Sequence, residues 1–498
     1  MVGGVLSVAV GLGVAELVAG LLPGQRSLVL GIGDAVIDSV PGWLERAAIA
    51  TLGTADKPVL VTSVVVVALA LGALAGLLAV RRFVLAAALY AAVVVLGMAA
   101  AVTDPRGSVV AVLLTGVVAA VAGIATLALL VRGRERGRPL GRADDRRRFL
   151  GLAGAAAAVA AVSAAAGRAL ATAGDATVAA LGVDLPEPDQ PAPPVPDGAD
   201  LEIAGLTPLF VANEDFYRID TALTVPRVDP ADWSLSVDGM VDEPFTLTYD
   251  ELLALPQIEA DITLSCVSNE VGGGLVGNAR WQGVPLRGLL ERAGVQAGAT
   301  QLLGRSVDGF TAGFPTLTAL DLDEAMVAVG MNGEPLPALH GFPARLVVPG
   351  LYGYVSATKW LSSIELTSFE DVEGYWIPRG WAREGPVKTQ SRIDVPRPGS
   401  RVAAGEAVVA GVAWAPTRGI ERVEVSIDDG PWQEATLAER LDVDCWRQWF
   451  LPWSAEPGRH VIAVRATDGA GEVQTDERTP VAPDGASGRH TVEVVVDG

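Results

Sequence analysis

The sequence contains very few cysteine and histidine residues. Its 498 residues include 2 cysteines, Cys266 and Cys445, and 3 histidines, His340, His460 and His490. All the histidines lie beyond residue 330, so the N-terminal third cannot supply paired imidazoles for a membrane haem b. There is no C-x-x-C-H motif for covalent haem attachment, and two cysteines are too few for an iron–sulfur cluster. The sequence therefore predicts a chain without haem.

Basic residues are also scarce. Lysine and arginine number 37 against 58 acidic residues, and the formal net charge is -21. Nucleic-acid binding requires a basic face, so this balance excludes a nucleic-acid partner. Half of the residues are hydrophobic and the mean hydropathy is +0.38. The apolar excess lies before residue 180, which predicts a membrane part followed by an acidic soluble part.

Four N-terminal segments are long enough to cross a hydrocarbon core, which requires about 20 apolar residues. A fifth segment, 149–167, is rich in alanine, so the apolar segments are 1–22, 59–80, 83–102, 109–131 and 149–167. Arg81 and Arg82 separate the second segment from the third, and an arginine-rich stretch separates the fourth from the fifth. Positive loops stay in the cytoplasm. We therefore expect a multi-pass protein in contact with membrane lipid, with everything after residue 170 on the extracytoplasmic side.

The fifth segment also has the pattern of a twin-arginine export signal. Arg146, Arg147 and Phe149 match the motif, and Ala171-Thr172-Ala173 resembles a cleavage site. The alternative is a plain fifth helix with cytoplasmic arginines, and cleavage after Ala173 stays open. Glu16 is an intramembrane carboxylate, so it is either functional or turned toward the bundle interior.

The rest of the chain divides by composition. Residues 183–200 are rich in proline and acidic residues, which predicts an extended spacer. Mixed strand and helix patterns follow, and alternation with a period of two residues begins near residue 392. The predicted fold class is an N-terminal α-helical membrane bundle, an α+β domain and an all-β immunoglobulin-like sandwich. The predicted domains are a four-helix region (1–132), an arginine-rich loop with the fifth segment and the linker (133–200), a catalytic domain (201–390) and the sandwich (391–498).

Cys266 is the residue whose surroundings carry the most chemical information. It ends an apolar strand pattern, and Ser268, Asn269 and the glycines of 272–274 follow it. A thiolate beside backbone N–H donors is suited to ligate a soft metal or to act as a nucleophile. His340 is the one histidine within 201–390, so a Cys266–His340 pair is possible, and an inert buried thiol is the third reading. Spacing alone leaves all three open.

Longer motifs carry a resemblance that covers nearly the whole soluble part. They are WSLSVDGMVDEPFTLTYDELLALP, the cysteine loop, NARWQGVPLRGLL, MNGEPLPALHGFPARLVVPGLYGYVSATKWL and GPVKTQSRIDVPRPG. Together they resemble the sulfite oxidase family of molybdenum enzymes, and the C-terminal part resembles that family's dimerisation domain. The resemblance implies a molybdenum-pyranopterin cofactor, a small-molecule substrate and a possible homodimer.

The resemblance also implies roles for individual residues. Cys266 matches the cysteine whose thiolate binds molybdenum. Four further positions match those that hold the cofactor, and they are Asn213, His340, Arg345 and Lys359. Tyr217 and Asp308 are further cofactor-binding candidates, for which the alternatives are a core-edge aromatic and a turn aspartate.

One departure from the family pattern concerns the substrate. Sulfite oxidases carry arginine shortly after the cysteine, whereas here Glu270 follows Asn269. A carboxylate at that position repels sulfite, so a neutral sulfoxide becomes a competing substrate. Arg280 is the candidate catalytic residue that would replace the missing charge.

The molybdenum chemistry that the resemblance implies requires a donor or acceptor of electrons, and the chain has no haem or iron–sulfur ligands of its own. A separate cytochrome or quinone-linked partner is therefore implied. The alternative function is a cofactor-free, surface-anchored binding or adhesion protein.

Overall fold

A computed structural model describes residues 1–22, 27–52, 55–103, 108–132, 142–179 and 182–498. The chain divides into two compact units, each treated separately below. The helical unit comprises Met1–Gly182 together with the short segment Ala222–Arg227, and the soluble unit comprises Val183–Thr221 and Val228–Gly498.

Seven helices build the helical unit within the described residues. They are α1 (Val2–Leu21), α2 (Leu28–Ser39), α3 (Gly42–Leu52), α4 (Asp56–Ala79), α5 (Phe83–Val102), α6 (Val109–Arg132) and α7 (Arg142–Ala179). Five of them contain stretches long and apolar enough to cross a membrane, and these coincide with the five predicted segments. Such helices are consistent with membrane anchoring.

The helical unit differs from the prediction in the segment between the first two apolar stretches. No membrane-spanning segment is predicted between residues 22 and 59, but two short helices, α2 and α3, form there. At 12 and 11 residues they are too short to span a bilayer, so a search for spans overlooks them. Ser27 caps α2 by accepting a hydrogen bond from the Val29 N–H at 3.1 Å. The described residues of 1–132 therefore contain two short helices in addition to the four membrane-length ones.

Glu16 on α1 has a neighbour at the start of the second helix. The Ser27 hydroxyl donates a hydrogen bond to Glu16 Oε1, which satisfies one carboxylate oxygen inside the helical unit. Several other predictions fall outside the described residues. They concern the loop arginines of 133–141 and the side chains of Arg142, Arg146, Ala171, Thr172 and Ala173.

The α+β part of the soluble unit contains two sheets. One has the strand order β2-β1-β10-β5-β6, and the other has the order β3-β4-β7-β8 with β9 also paired to β7. The strands are β1 (Ser234–Gly239), β2 (Phe245–Thr248), β3 (Ile258–Ser265), β4 (Val276–Pro285), β5 (Gln301–Ser306), β6 (Thr311–Pro315), β7 (Met326–Met331), β8 (Glu334–Pro335), β9 (Arg345–Val347) and β10 (Leu361–Thr367). Short helices connect them: α8 (Tyr249–Leu253), α9 (Leu286–Ala293), α10 (Thr316–Asp321) and α11 (Gly353–Ser356).

Alternating apolar residues explain why the C-terminal part forms a sandwich. Its two sheets have the orders β11-β13-β17-β16 and β12-β19-β18-β14-β15. The strands are β11 (Gln390–Val395), β12 (Arg401–Ala403), β13 (Gly405–Trp414), β14 (Ile420–Ile427), β15 (Gln433–Glu434), β16 (Thr436–Leu437), β17 (Arg447–Ala455), β18 (Gly458–Asp468) and β19 (His490–Asp497). The inward residues, including Trp449, Val423 and Val464, are fully buried between the sheets. The predicted α+β and all-β classes are confirmed.

The proline-rich linker is not a free spacer. Gln190 forms a parallel bridge with Ile258, and its N–H donates to the Gln257 carbonyl at 3.1 Å. The Gln257 N–H in turn donates to the Asp189 carboxylate at 2.9 Å. The linker therefore lies along the edge of β3 and belongs to the soluble unit, a position that its composition could not indicate.

Candidate functional site

Cys266 directly follows β3, and a tight turn surrounds its sulfur. The Cys266 N–H donates to the Leu275 carbonyl at 2.9 Å, and the Asn269 N–H donates back to the Cys266 carbonyl at 3.0 Å. The Ser268 N–H points at Sγ from 3.4 Å. The thiol is free and 8% exposed. Burial raises the pKa of Cys266, whereas the Ser268 hydrogen bonds and the Lys359 charge lower it. A bound metal cation would therefore favour the thiolate form of Cys266 over the thiol.

Arg345 on β9 supplies a buried guanidinium. It is 4% exposed, its Nη1 donates to the His340 carbonyl at 3.1 Å, and it lies over the Trp281 ring at 5.0 Å. Burial lowers the pKa of Arg345 to about 10. Among the residues that the structure describes, no carboxylate forms an ion pair with it. A buried guanidinium bonded only to carbonyls and an aromatic face is suited to receive an anion such as phosphate.

Lys359 supplies a second buried cation. Its Nζ donates to Asp220 Oδ2 and to the Leu339 carbonyl, both at 3.3 Å. Burial lowers the pKa of Lys359 to about 8, although the Asp220 carboxylate acts in the opposite direction. Asp220 also pairs with Arg218 at 2.8 Å. The sequence analysis missed Arg218 and Asp220, for which the only signal was their position just after Tyr217.

The hydrogen bond of His340 determines its tautomer. His340 Nε2 lies 2.7 Å from the Asn213 carbonyl oxygen, which only accepts, so the proton resides on Nε2. Nδ1 is then an acceptor, and it is buried without a described partner. Burial, with the Arg345 and Lys359 charges, lowers the pKa of His340 to about 4, so the ring is neutral. This orphaned acceptor matches an N–H donor of a pterin ring.

Asn213 acts through its backbone rather than through its amide. Its side-chain amide donates to the Met331 carbonyl and its Oδ1 accepts from Asn332, so both ends of the amide are used inside the protein. The residue therefore orients His340.

Tyr217 lies in the electrostatic field of the same cluster. Burial and the Cys266 charge raise the pKa of Tyr217, and the Arg345 charge opposes them. Its ring stacks on Phe216 at 5.2 Å between centroids. Tyr352, which the sequence analysis overlooked, also feels the Cys266 charge, and burial is the main cause that raises its pKa to about 12. Two protonated phenols thus accompany the thiol.

The structure does not bring Arg280 to this cluster. Arg280 pairs across strands with Asp261, which precedes Cys266 by five residues, or roughly 16 Å along a strand. Its Nε and Nη2 both donate to the Asp261 carboxylate at 2.8 Å, and Nη2 also donates to the Pro193 carbonyl at 3.3 Å. Arg280 is therefore held in a structural ion pair. It does not supply the positive charge that sulfite oxidases carry near the cysteine and that this chain lacks at Glu270.

Asp308 lies in the turn between β5 and β6. Its carboxylate accepts a hydrogen bond from the Phe310 N–H at 3.3 Å. The neighbouring Val307 N–H donates to the Trp360 carbonyl, so the backbone of this turn contacts the residue that follows Lys359. The described contacts of Asp308 are those of a turn aspartate.

The assembled residues fit a cofactor that brings its own metal ligands. No group of three or more histidine, cysteine or acidic side chains suited to a metal occurs among the described residues. Cys266 alone could not retain a metal, but it could complete the ligand set of a metal already bound by a dithiolene. The hypothesis of a Cys266–His340 hydrolase is not supported. The Nε2 atom of His340 is hydrogen-bonded to the Asn213 carbonyl, and its Nδ1 atom has no hydrogen bond to Cys266 among the described residues.

Comparisons with known proteins agree with this fit. Residues 222–376 match the family described as the oxidoreductase molybdopterin binding domain, and residues 385–481 match the Mo-co oxidoreductase dimerisation domain. The mitochondrial sulfite oxidase of Rattus norvegicus is 31% identical over 325 residues, covering 55% of this chain and 59% of the relative. The sulfite oxidase of Gallus gallus is 30% identical over 320 residues, covering 55% of this chain and 70% of the relative.

A bacterial relative and a solved structure extend the comparison. The uncharacterized oxidoreductase YuiH of Bacillus subtilis is 36% identical over 157 residues, covering 32% of this chain and 76% of the relative. The sulfane dehydrogenase SoxCD from Paracoccus pantotrophus has a similar fold, with a TM-score of 0.52 and 24% identity over 58% of this chain and 81% of that one. The chain spans 59% of the length of the rat enzyme.

These matches cover the domain that contains Cys266, His340, Arg345 and Lys359, and the sandwich that follows it. The chain belongs to the sulfite oxidase family of molybdopterin-dependent oxidoreductases.

Proposed function

We propose that this enzyme is anchored in a membrane by its N-terminal helices and catalyses two-electron oxygen-atom transfer on a small molecule at the extracytoplasmic side. The observation that carries the proposal is the buried group formed by Cys266, His340, Arg345 and Lys359. The Lys359 charge acts on the Cys266 sulfur, and the Arg345 guanidinium bonds to the backbone of His340, whose Nδ1 is an acceptor without a described partner. Outside a cofactor site, this arrangement would only cost stability, because each buried cation is incompletely compensated.

Each residue has a defined task in this proposal. Arg345 and Lys359 would hold the phosphate of the pyranopterin, and His340 Nδ1 would accept a hydrogen bond from its ring system. Cys266 would complete the metal's ligands, and the neutral Tyr217 and Tyr352 would surround it without adding negative charge. The molybdenum centre, when bound, supplies the oxygen-atom and two-electron chemistry, while the protein positions and tunes it.

The substrate would be a sulfoxide-type or a sulfite-type molecule. Glu270 lies exposed in the loop that begins at Cys266, and Arg280 is held by Asp261. A carboxylate at the loop disfavours an anion and leaves a neutral sulfoxide unaffected. The electrostatics therefore favour the sulfoxide, while the names of the relatives point to sulfite and sulfane compounds.

Two features support the proposed location and partners. The acidic residues lie mainly after residue 182, where 48 acidic residues face 22 basic ones. A folded, cofactor-loaded domain requires the twin-arginine route for export, which gives the Arg146–Arg147 motif a purpose. A separate cytochrome or quinone-linked protein would exchange electrons with the site. A basic surface on that partner would complement the acidic soluble unit. The match of residues 385–481 to a dimerisation domain supports a homodimer.

The test begins with metal and pterin analysis of the full chain purified in detergent from a host that makes the cofactor. We expect about one molybdenum and one pterin per chain, and turnover of an aryl sulfoxide with a reduced dye that exceeds turnover of sulfite with an oxidised dye. Absence of molybdenum would contradict the proposal and favour the cofactor-free binding protein.

A charge exchange at the loop then tests the substrate. Glu270→Arg restores a cation next to Asn269, and Glu270→Gln is the matched neutral control. We expect Glu270→Arg to raise kcat/KM for sulfite about tenfold and to leave sulfoxide turnover within twofold, because an exposed charge mainly changes anion recruitment. Equal effects of both variants on both substrates would remove Glu270 from substrate selection.

A further inference from the structure

The loop that follows Cys266 is in contact with the C-terminal sandwich. Arg392 on β11 donates from Nη1 to the Gly273 carbonyl at 2.9 Å, and from Nη2 to Thr207 Oγ1 at 2.8 Å. Gly273 belongs to the glycine-rich part of the cysteine loop, whereas Arg392 lies 119 residues further along the chain. A side chain of the sandwich therefore holds the backbone of the metal-binding loop.

Arg392 is itself fixed by a buried carboxylate. Its Nε forms an ion pair with Asp394 Oδ1 at 2.6 Å, and the two side chains are 11% and 8% exposed. Asp394 Oδ2 also accepts from the Thr207 N–H at 3.2 Å. A guanidinium with charge-assisted bonds on three of its edges has one orientation, so the Gly273 carbonyl meets a rigid donor.

His490 on β19 holds the preceding residue of the loop. Gly272 has φ of +79°, and a Cβ atom built there would lie 2.2 Å from His490 Cδ2. His490 Nδ1 accepts from the Ile393 N–H at 3.0 Å, so the proton resides on Nε2 and the ring orientation is set by β11. The imidazole ring therefore packs directly on the loop backbone at a position that only glycine fills.

Hydrogen bonds inside the loop transmit this constraint to the cysteine. The Gly273 N–H donates to the Glu270 carbonyl at 2.8 Å, and Asn269 Oδ1 accepts from the Leu275 N–H at 2.8 Å. Leu275 and Asn269 both form hydrogen bonds with the Cys266 backbone. Displacing Gly272 and Gly273 would thus displace both residues that set the Cys266 conformation.

We propose that the sandwich is a positioning element for the Cys266 thiolate, which acts through a clamp formed by Arg392, Asp394 and His490. The described hydrogen bonds of the clamp go to Gly273, Thr207 and Ile393 and not to the proposed cofactor residues or the sulfur. It acts by restricting the loop, because a metal ligand must be held within about 0.5 Å of its productive position. The inference rests on the proposed function only in naming the metal that the thiolate binds.

The test measures loop order in the full-length, cofactor-free protein, made in a host that lacks cofactor synthesis. The double variant Arg392→Gln/Asp394→Asn removes the clamp without leaving a buried charge unpaired, and His490→Ala removes the ring alone. Arg459→Gln, which breaks an exposed ion pair with Glu493 elsewhere in the sandwich, is the control. Iodoacetamide labelling is followed by peptide mass spectrometry, which resolves Cys266 from Cys445.

We expect Cys266 labelling to accelerate about tenfold in both clamp variants while Cys445 labelling and the control stay unchanged, since only the loop opens. In loaded protein, the thiolate charge-transfer band should shift at constant molybdenum content. Cys266 rates within twofold of the control, or equal acceleration at both cysteines, would overturn the clamp. Because labelling requires no cofactor, wild type without molybdenum would refute the proposed function and leave the clamp standing.

Discussion

The two cysteines lie beside different parts of β3, and their neighbours act on the two thiols in opposite directions. Cys266 ends β3 and has a backbone N–H at its sulfur and the Lys359 ammonium nearby. Cys445 lies in a sandwich loop, and its thiol donates to the Asp261 carbonyl at 3.0 Å. Burial raises the pKa of both thiols, but Asp261, Asp442 and Asp444 add to the effect at Cys445.

This difference teaches that burial alone does not identify a functional thiol. Both sulfurs are less than a tenth exposed and both are free. The neighbours decide which sulfur can carry negative charge, because N–H donors and cations stabilise a thiolate and carboxylates oppose it. The surroundings of Cys266 therefore suit a thiolate better than those of Cys445 do.

Replacing the sulfur of each cysteine with oxygen should reveal the largest difference between the two sites. Cys266→Ser removes the proposed metal thiolate, so we expect activity to fall at least about 100-fold and the thiolate charge-transfer band to vanish. Cys445→Ser should retain both, since a hydroxyl can also donate to the Asp261 carbonyl. Visible spectra and turnover of the two variants check this. A similar loss in both would mean that the two sites are not distinct.

The cation at the Cys266 end should make cofactor binding depend on pH. The pKa of Lys359 is about 8, so the cofactor-free protein carries the ammonium below pH 8 and loses it above. Binding an anionic phosphate requires the charge, so affinity should fall about tenfold per pH unit above pH 8. Cofactor uptake by cofactor-free protein between pH 6 and 9.5 measures this. Lys359→Arg should flatten the profile, and an unchanged profile in that variant would contradict the assignment.

Arg280 sharpens the comparison, because it lies on the Cys445 face. Arg280→Gln leaves the Asp261 carboxylate buried and unpaired, so we expect a loss of about 3 kcal/mol in stability. KM for the substrate should not change. Thermal inactivation and steady-state kinetics separate the two effects, and Arg305→Gln, which breaks the more exposed pair with Glu365, is the control. A raised KM at unchanged thermal stability would restore Arg280 to the substrate site.

Asp444 should show the smallest effect. Burial raises the pKa of Asp444 to about 7, although the Thr417 N–H opposes it. Between pH 3.8 and 7 the unfolded chain releases this proton and the folded chain keeps it, so stability falls as pH rises. Asp444→Asn should flatten that slope and raise the thermal midpoint at pH 8 by a few degrees. The exposed Asp429→Asn is the control, and parallel curves for Asp444→Asn and wild type would contradict the shift.

Much of the architecture could be predicted because local patterns encode it. Apolar runs of about 20 residues indicate membrane-length helices, and period-two alternation indicates the sandwich. The short helices α2 and α3 were missed because neither signal applies to an amphipathic segment of 11 or 12 residues. The docked linker was missed because its hydrogen bonds join residues nearly 70 positions apart.

Prediction of the site residues from the sequence is limited in the same way, because contacts between distant residues leave no local pattern. The motifs pointed to Cys266, His340, Arg345 and Lys359, and the structure gathers them. Arg280 was a candidate for the substrate site because an arginine after the cysteine loop carries the positive charge that an anionic substrate requires. Only the strand register reveals that Asp261 pairs with it. Arg392 and His490 carried no sequence signal, since their contacts with the loop span more than 110 residues.

The covered edge of β3 has a consequence for how the chain matures. Gln190 pairs along one part of this edge, and the Asp444 carbonyl and the Trp446 N–H cap another part through Thr263. The second cover arrives roughly 180 residues after Cys266 has been synthesised, and such long-range contacts form late. Until then, the strand leading to the metal ligand presents unpaired backbone groups, which invite pairing with another chain. The nascent protein is therefore most prone to aggregate just before its C-terminal domain docks, and a truncation before residue 444 would retain that exposed edge.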